Sequence, residues 1–205
     1  MNCFTQHRGS LNIVVGPMFS GKSTWLNGVI TELADTGFKV LKIIHIKDVR
    51  DDVASNDKKG TTHNSSYRSL SDKIDVISTD VLSSVNVNDY DVIGIDESQF
   101  FPDLLEYVEQ WVEDKGKHVR VSGLCGDSSK KKYGQTLDLI PFCDKVKKLH
   151  ARCHTCLVEL KKMDYKGNIM SLEAPFTKCL VTKTSQTLVG GSDSYIPVCR
   201  YHHSC

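Results

Sequence analysis

One short segment constrains the fold of this chain more than any other feature. Residues 16 to 23 read Gly-Pro-Met-Phe-Ser-Gly-Lys-Ser and match the pattern G-x-x-x-x-G-K-[ST]. The β-branched run Leu11 to Gly16 precedes the segment and predicts a strand. From Lys22 onward, apolar residues recur at intervals of three and four, which predicts a helix that Gly37 ends. The segment is therefore placed between a strand and a helix, as a phosphate-binding loop requires.

The chemistry of such a loop explains its residue types. Glycines let backbone amides surround phosphate oxygens, and the helix N-terminus adds partial positive charge. The lysine reaches the outer phosphates, and the serine holds magnesium. The sequence thus predicts a nucleotide site whose contacts come from Gly16, Pro17, Met18, Phe19, Ser20, Gly21, Lys22 and Ser23.

The first half of the chain alternates between short β-branched runs and amphipathic runs. This alternation predicts strands separated by helices, which pair in parallel and have both sheet faces covered. The predicted fold is an α/β layer sandwich. Besides the first strand and helix, the predicted elements are the strands Lys39 to Ile46, Tyr90 to Ile95 and Lys117 to Ser122, and a helix over Leu104 to Val112.

Two acids follow one of these predicted strands. Asp96 and Glu97 come directly after the apolar run that ends at Ile95. The carboxyl ends of parallel strands carry the ligand sites of open sheets. We therefore expect Asp96 to be the magnesium partner and Glu97 to be a base for an incoming hydroxyl or water.

Composition narrows the range of partners. The 205 residues are 40% apolar and carry a formal net charge of +1. Such a chain can bury a core, and its scattered charges give no strong attraction to nucleic acid or to an anionic membrane. No apolar run reaches the length of a bilayer span, and residues 1 to 10 have no secretory core. We expect a cytoplasmic protein with a small-molecule substrate.

Four cysteines and histidines near the C-terminus form a possible metal site. Cys153 and Cys156 make a C-x-x-C pair, and Cys199 and His202 make a C-x-x-H pair. Together they can place four ligands tetrahedrally around Zn²⁺ in a closed structural site. Two residues remain alternatives to His202 as the fourth ligand, namely His203 and Cys205.

The character of the chain changes after about Leu149. Short alternating runs such as Leu157 to Lys161 predict a small strand-rich unit, so we expect a nucleotide-binding domain over 1–149 and a zinc-binding domain over 150–205. The polar stretch from Lys47 to Ser71 is too long for a passive connection and predicts a mobile functional loop. A Gly-Gly turn at 190 and 191, followed by Tyr195, is able to fold over a flat ligand.

Several of these motifs resemble those of the type II thymidine kinases, the kind found in animal cells, many bacteria and large DNA viruses. The resemblance covers most of the chain. It rests on the loop at 16–23, Lys-Asp-Val-Arg at 47–50, Ile-Asp-Glu-Ser-Gln-Phe-Phe-Pro at 95–102, Gly-Gly-Ser-Asp-Ser-Tyr at 190–195 and the paired zinc motifs. It implies a RecA-like parallel sheet with helices on both faces, plus a zinc-bearing lasso domain.

The resemblance also implies a reaction. Glu97 would deprotonate the 5′-hydroxyl of thymidine for attack on the γ-phosphate of ATP, with deoxyuridine a possible substrate. Asp48 and Arg50 fall at the family's mobile-loop positions, where they help organise magnesium, sugar and phosphate. Gln99, in the motif that follows the acids, is also expected to bind the nucleotide cofactor. The family is commonly homotetrameric. The positions that match the nucleoside pocket are Met18, Phe100, Leu124, Tyr133, Leu188, Val189, Gly190, Gly191 and Tyr195.

The chain departs from the family at one place. Members usually carry Leu-Asp-Gly or Leu-Asn-Gly followed shortly by Phe, whereas this chain has Cys125 and Ser128 there. A pocket ring is therefore missing. Two other functions fit parts of the sequence. A P-loop ATPase acting on a macromolecule shares the loop and the acids, and a zinc-stabilised nucleic-acid-binding module would show a basic face that the +1 balance does not predict.

Overall fold

The computed structural model describes residues 9–48, 73–163, 172–181 and 194–204. Its centre is a six-stranded sheet in the order β3-β2-β4-β5-β1-β6, in which every strand pair is parallel. The strands of this sheet are β1 (Ser10–Gly16), β2 (Val40–His45), β3 (Ile74–Thr79), β4 (Val92–Ile95), β5 (His118–Leu124) and β6 (Lys145–Lys148).

Helices cover both faces of the sheet. Helix α1 (Lys22–Asp35) packs on one face, where Leu26 and Ile30 meet Val40 and Val92 in one buried cluster. Helix α2 (Leu104–Glu109), which continues as a π-helical turn over Gln110–Asp114, packs on the other. The predicted α/β architecture is therefore confirmed. No helix in the described ranges is long and apolar enough to cross a membrane.

The sequence prediction agrees with the structure at helix α1 but omits the two edge strands of the sheet. The helix from Lys22 ends where expected, since Gly37 follows it with a φ of 99°. Strands β3 and β6 were missed because neither is an apolar run. In β6 every residue is exposed, and in β3 only Ile74 is fully buried. These two strands form the edges of the sheet.

The C-terminal segment forms two small antiparallel pairs and two helices. Strand β7 (Ala151–Arg152) pairs with β8 (Glu173–Ala174), and β9 (Phe176–Cys179) pairs with β10 (Tyr195–Val198). The helices are α3 (His154–Lys162) and α4 (Arg200–Ser204).

One expectation for this segment is wrong. The run Leu157 to Lys161, which alternation suggested as strand, lies inside α3. The i, i+3 spacing of Cys153 and Cys156 explains the helix, because a helical turn brings both thiols to one side.

Candidate active site

The phosphate-binding loop has the backbone that its sequence predicts. It joins the end of β1 to the start of α1, and the first helical hydrogen bond runs from the Trp25 amide to the Gly21 carbonyl at 2.9 Å. Gly21 has a φ of 84°, a left-handed conformation that side-chain-bearing residues adopt rarely. The Lys22 ammonium is buried and donates to the Pro17 carbonyl at 2.8 Å. The Ser20 hydroxyl donates to the same carbonyl at 2.9 Å.

The loop and the first acid after β4 are joined directly. The Ser23 hydroxyl donates to Oδ1 of Asp96 at 3.1 Å, although 73 positions separate the two residues. The Glu97 amide donates to the same oxygen at 3.0 Å, and the Ser122 hydroxyl makes a short hydrogen bond to it. The structure thus brings the loop and the acidic pair to one edge of the sheet. A hydroxyl and a carboxylate at this separation are the hard oxygen donors that Mg²⁺ prefers.

The second acid is held by a side-chain clamp that the sequence did not reveal. Glu97 has φ 48° and ψ 43°, an uncommon left-handed conformation for a residue that is not glycine. Its Oε2 accepts a hydrogen bond of 2.6 Å from Gln99 Nε2. The Gln99 Oε1 in turn accepts from the Leu124 amide at 2.9 Å. Gln99 therefore ties the Glu97 carboxylate to the end of β5.

Gly134 closes the other side of this clamp. It has a φ of 60°, and a Cβ at this position would lie 2.2 Å from the Gln99 carbonyl oxygen. No side chain fits there without moving the backbone of Gln99. The position of the clamp therefore depends on a glycine that is distant in sequence.

Aromatic rings collect beside the acidic pair. Phe100 meets Tyr133 edge-on, with 5.9 Å between ring centroids, and His45 at 5.3 Å. Tyr195 is buried, and this burial together with nearby Cys179 and Tyr133 raises its pKa to about 12, so the phenol stays neutral. These rings form an apolar wall at the edge where the loop and the acids meet.

His45 packs against the Phe100 ring of this wall. Its ring also contacts Phe101 at 4.9 Å, and its Nδ1 accepts from the Lys47 amide at 3.0 Å. Burial, with the charge of Lys47, lowers the pKa of His45 below its ordinary value. The imidazole is therefore neutral near pH 7. Nothing in the sequence pattern separated this histidine from the others.

The zinc-type ligands converge as predicted. The ligand atoms of Cys153, Cys156, Cys199 and His202 all lie within 4.8 Å of one another. His202 Nδ1 lies 3.6, 3.3 and 3.4 Å from the three sulfurs in that order, and the Cys156 and Cys199 sulfurs are 3.9 Å apart. A tetrahedral Zn²⁺ site with ordinary bond lengths has ligand separations of about 3.6 to 3.8 Å. The four residues therefore fit zinc.

Two further observations support a metal at this cluster. Burial and the neighbouring Cys153 raise the pKa of the Cys156 thiol to about 12, so this sulfur would become a thiolate ligand near neutral pH only where a bound cation displaces its proton. The Nε2 of His202 lies 3.3 Å from a Glu159 carboxylate oxygen, which fixes the ring as carboxylates do beside metal-bound histidines. His203 instead faces the Ser128 carbonyl at 3.0 Å, and Cys205 lies outside the described residues.

The zinc unit also touches the nucleotide loop. The Met18 amide donates to the Thr177 hydroxyl at 3.0 Å, which links the loop to β9. The Phe176 ring lies under the Lys130 ammonium at 5.1 Å and near the His203 ring at 5.6 Å. Thr177 was missed at the sequence level because a lone threonine carries no signal.

Several predicted site residues lie at or beyond the limits of the described ranges. Asp48 ends the short 3-10 helix Ile46–Asp48, and the predicted mobile loop lies from residue 49 onward outside the described residues. The pocket positions outside them are Leu188, Val189, Gly190 and Gly191, and Arg50 is outside them as well.

The fold and the site together define a P-loop α/β protein with an attached Cys₃His unit. The thymidine kinase family model matches residues 9–203 of this chain. The chain therefore belongs to the thymidine kinase family.

Curated relatives from plants, viruses and animals agree with this assignment. The thymidine kinase of Oryza sativa subsp. japonica is 36% identical over 99% of this chain and 69% of its own length. The thymidine kinase of Variola virus is 35% identical over 94% of this chain and 95% of its own length. The cytosolic thymidine kinase of Bos taurus is 33% identical over 94% of this chain and 71% of its own length.

Proposed function

We propose that this chain is a thymidine kinase that transfers the γ-phosphate of ATP to the 5′-hydroxyl of thymidine. The observation that carries the proposal is the contact between Ser23 and Asp96, because it puts the phosphate loop and the acidic pair at one site. Family membership supports the nucleoside as substrate. A P-loop ATPase that acts on a macromolecule is not favoured by any contact described here.

The loop would hold the triphosphate through its backbone amides and the Lys22 ammonium. Ser23 and Asp96 would hold magnesium, which supplies charge neutralisation at the phosphates when bound. Lys22 now donates to the Pro17 carbonyl, and a triphosphate offers it a charged acceptor in the same loop. Asp48 and Arg50 would complete the phosphate side from the mobile-loop positions.

Glu97 would act as the general base. Its carboxylate is oriented by Gln99 and stands beside the ring wall where a nucleoside would lie. It would accept the proton of the 5′-hydroxyl as that oxygen attacks the γ-phosphorus, with ADP leaving on the opposite side. Met18, Phe100, Leu124, Tyr133 and Tyr195 would line the base pocket, with Leu188 to Gly191 closing over it.

The zinc cluster would be structural rather than catalytic. Four protein ligands close a tetrahedral site and leave no position for water. We extend the proposal to a domain boundary near residue 149, a homotetramer and a cytoplasmic location, all on the basis of the resemblance to the family.

The test is a transfer assay with purified protein and magnesium-ATP labelled on the γ-phosphate, run against thymidine, deoxyuridine, deoxycytidine and adenosine. We expect label in thymidine monophosphate, with weaker or equal labelling of deoxyuridine. Labelled free phosphate, released without any labelled nucleoside and increased by a nucleic acid or protein polymer, would instead support the ATPase.

A further inference from the structure

A lysine is buried in the middle of the sheet, and the proposed reaction makes no use of it. Lys42 lies in β2 and is only 2% exposed. Its neighbours on the strand are the core residues Leu41 and Ile43. Its side chain points to the opposite face, toward α1, where its ammonium donates to Asn27 Oδ1 at 2.8 Å. Burying an ammonium costs several kcal/mol even after relaxation, so its presence calls for a specific partner.

That partner is the carboxylate at the phosphate site. The Lys42 Nζ lies 3.6 Å from Asp96 Oδ2, and both side chains are almost completely buried. The other oxygen, Oδ1, accepts all three hydrogen bonds from Ser23, Ser122 and the Glu97 amide. The two oxygens thus have separate roles, and the ammonium is the only charged group among these four donors.

Asn27 also binds the Lys42 ammonium, and its burial has an energetic cost. It is buried on α1, and its oxygen accepts from Lys42, but its Nδ2 has no hydrogen-bond partner among the described residues. An unpaired buried amide is unfavourable. Asn27 therefore holds the ammonium in place rather than contributing a balanced pair of hydrogen bonds.

We propose that Lys42 is a positioning residue of the phosphate site, a fixed internal cation that orients Asp96 and offsets its charge toward the triphosphate. The inference rests on the proposed function. Without Lys42, the Asp96 carboxylate would repel the triphosphate unless a divalent cation lay between them. With it, the chain binds nucleotide with less dependence on the divalent cation.

The experiment measures the dissociation constant of a fluorescent ATP analogue twice, once with excess Mg²⁺ and once in magnesium-free buffer without a chelator, so that the Cys₃His cluster keeps its metal. The ratio of the two constants is the magnesium dependence. The variants are Lys42→Met, which keeps the apolar stem, and Lys42→Met/Asn27→Leu, which also removes the orphaned amide acceptor. The matched control is Asn27→Leu, which removes the hydrogen bond but keeps the cation.

We expect both Lys42 variants to increase the magnesium dependence at least tenfold, equivalent to about 1.4 kcal/mol, chiefly through weaker binding in the absence of magnesium. Asn27→Leu should change the ratio less than threefold. A ratio unchanged in folded Lys42 variants, with only a lower melting temperature, would assign Lys42 a structural role and overturn the inference. Wild-type protein that binds no nucleotide under either condition would overturn the proposed function itself.

Discussion

The nucleotide loop and the zinc cluster are held in place by different means. The loop stands between a strand and a helix that pack into buried clusters of 17 and six described residues, so apolar burial fixes its geometry. Among the described residues of the zinc unit, four are buried in its own hydrophobic cluster, and one of them is the proposed ligand Cys153. Its two strand pairs are short, and α3 buries none of its residues fully.

This difference means that the two regions contribute differently to the stability and the turnover of the protein. A unit with so small a core gains too little from burial to offset the entropy of ordering its chain. Under the proposed zinc assignment, metal binding at the Cys₃His cluster would supply the folding free energy, as in other small zinc units. The sheet, in contrast, needs no ligand to hold Ser23 against Asp96. Substitutions in the zinc unit should therefore lower stability, and substitutions at the nucleotide site on the sheet should lower turnover.

The largest expected effect is loss of the metal. Cys156→Ser removes one of four ligands, and structural zinc contributes a binding free energy on the order of 10 kcal/mol. We expect zinc content to fall from one per chain to near zero, and limited proteolysis to cut within residues 150–204 while the sheet resists. Cys143→Ser is the matched control, since Cys143 lies outside the cluster. Equal zinc content in both variants would contradict the ligand assignment.

The next effect concerns the base on the sheet side. Glu97→Gln should keep ATP and thymidine binding but lower kcat by about 10² to 10⁴-fold, because the amide cannot accept the proton. Zinc content and melting temperature should stay unchanged. Steady-state kinetics measures kcat, and calorimetry measures the affinities for ATP and thymidine separately. Near-normal turnover would remove Glu97 from its proposed role.

A smaller effect is expected where the two regions touch. Thr177→Val deletes the acceptor of the Met18 amide, and an unpaired amide costs about 1 to 3 kcal/mol. We expect lower stability in urea unfolding and a raised KM for ATP. Thr177→Ser keeps the hydroxyl and should behave like the wild type. If Thr177→Val and Thr177→Ser have the same effect, the hydrogen bond does not couple the zinc unit to the nucleotide loop.

The smallest effect is a pH dependence. The pKa of His45 is lowered by burial, so the unfolded chain takes up its proton first as the pH falls below the ordinary value of about 6.5. Well above that pH neither state binds the proton, so the lowered pKa has no effect on stability. Below it, the free energy of unfolding decreases as the pH falls toward the pKa of His45 in the folded chain. We expect the melting temperature of His45→Asn to fall less between pH 7.5 and 5.0 than that of the wild type. Parallel curves would show that His45 is not responsible.

The sequence predicted those parts of the molecule that local patterns encode. Strand β1, helix α1 and the loop between them follow from periodicity and glycine positions, and the ligand spacing predicted the four residues that converge into the Cys₃His cluster. Strand β6 was not predictable, because the charged edge segment Lys145–Lys148 lacks the apolar pattern of a buried strand.

The side-chain contacts of the site were beyond local patterns. The Gln99–Glu97 clamp depends on a left-handed backbone at Glu97, and the Lys42–Asp96 pair depends on the register in which β2 pairs with β4. The Lys42–Asp96 pair nevertheless had one visible signal in the sequence, which is a lysine inside a mostly apolar strand.

The tight fit at Gly134 has a consequence for how this protein tolerates change. Any larger residue there would press on the Gln99 carbonyl and, through it, displace the carboxylate of Glu97. Position 134 contacts no reacting atom, yet it should be as intolerant of substitution as the base itself. A saturation library read out by growth on thymidine would single out this glycine beside the acids, and the reason would be steric rather than chemical.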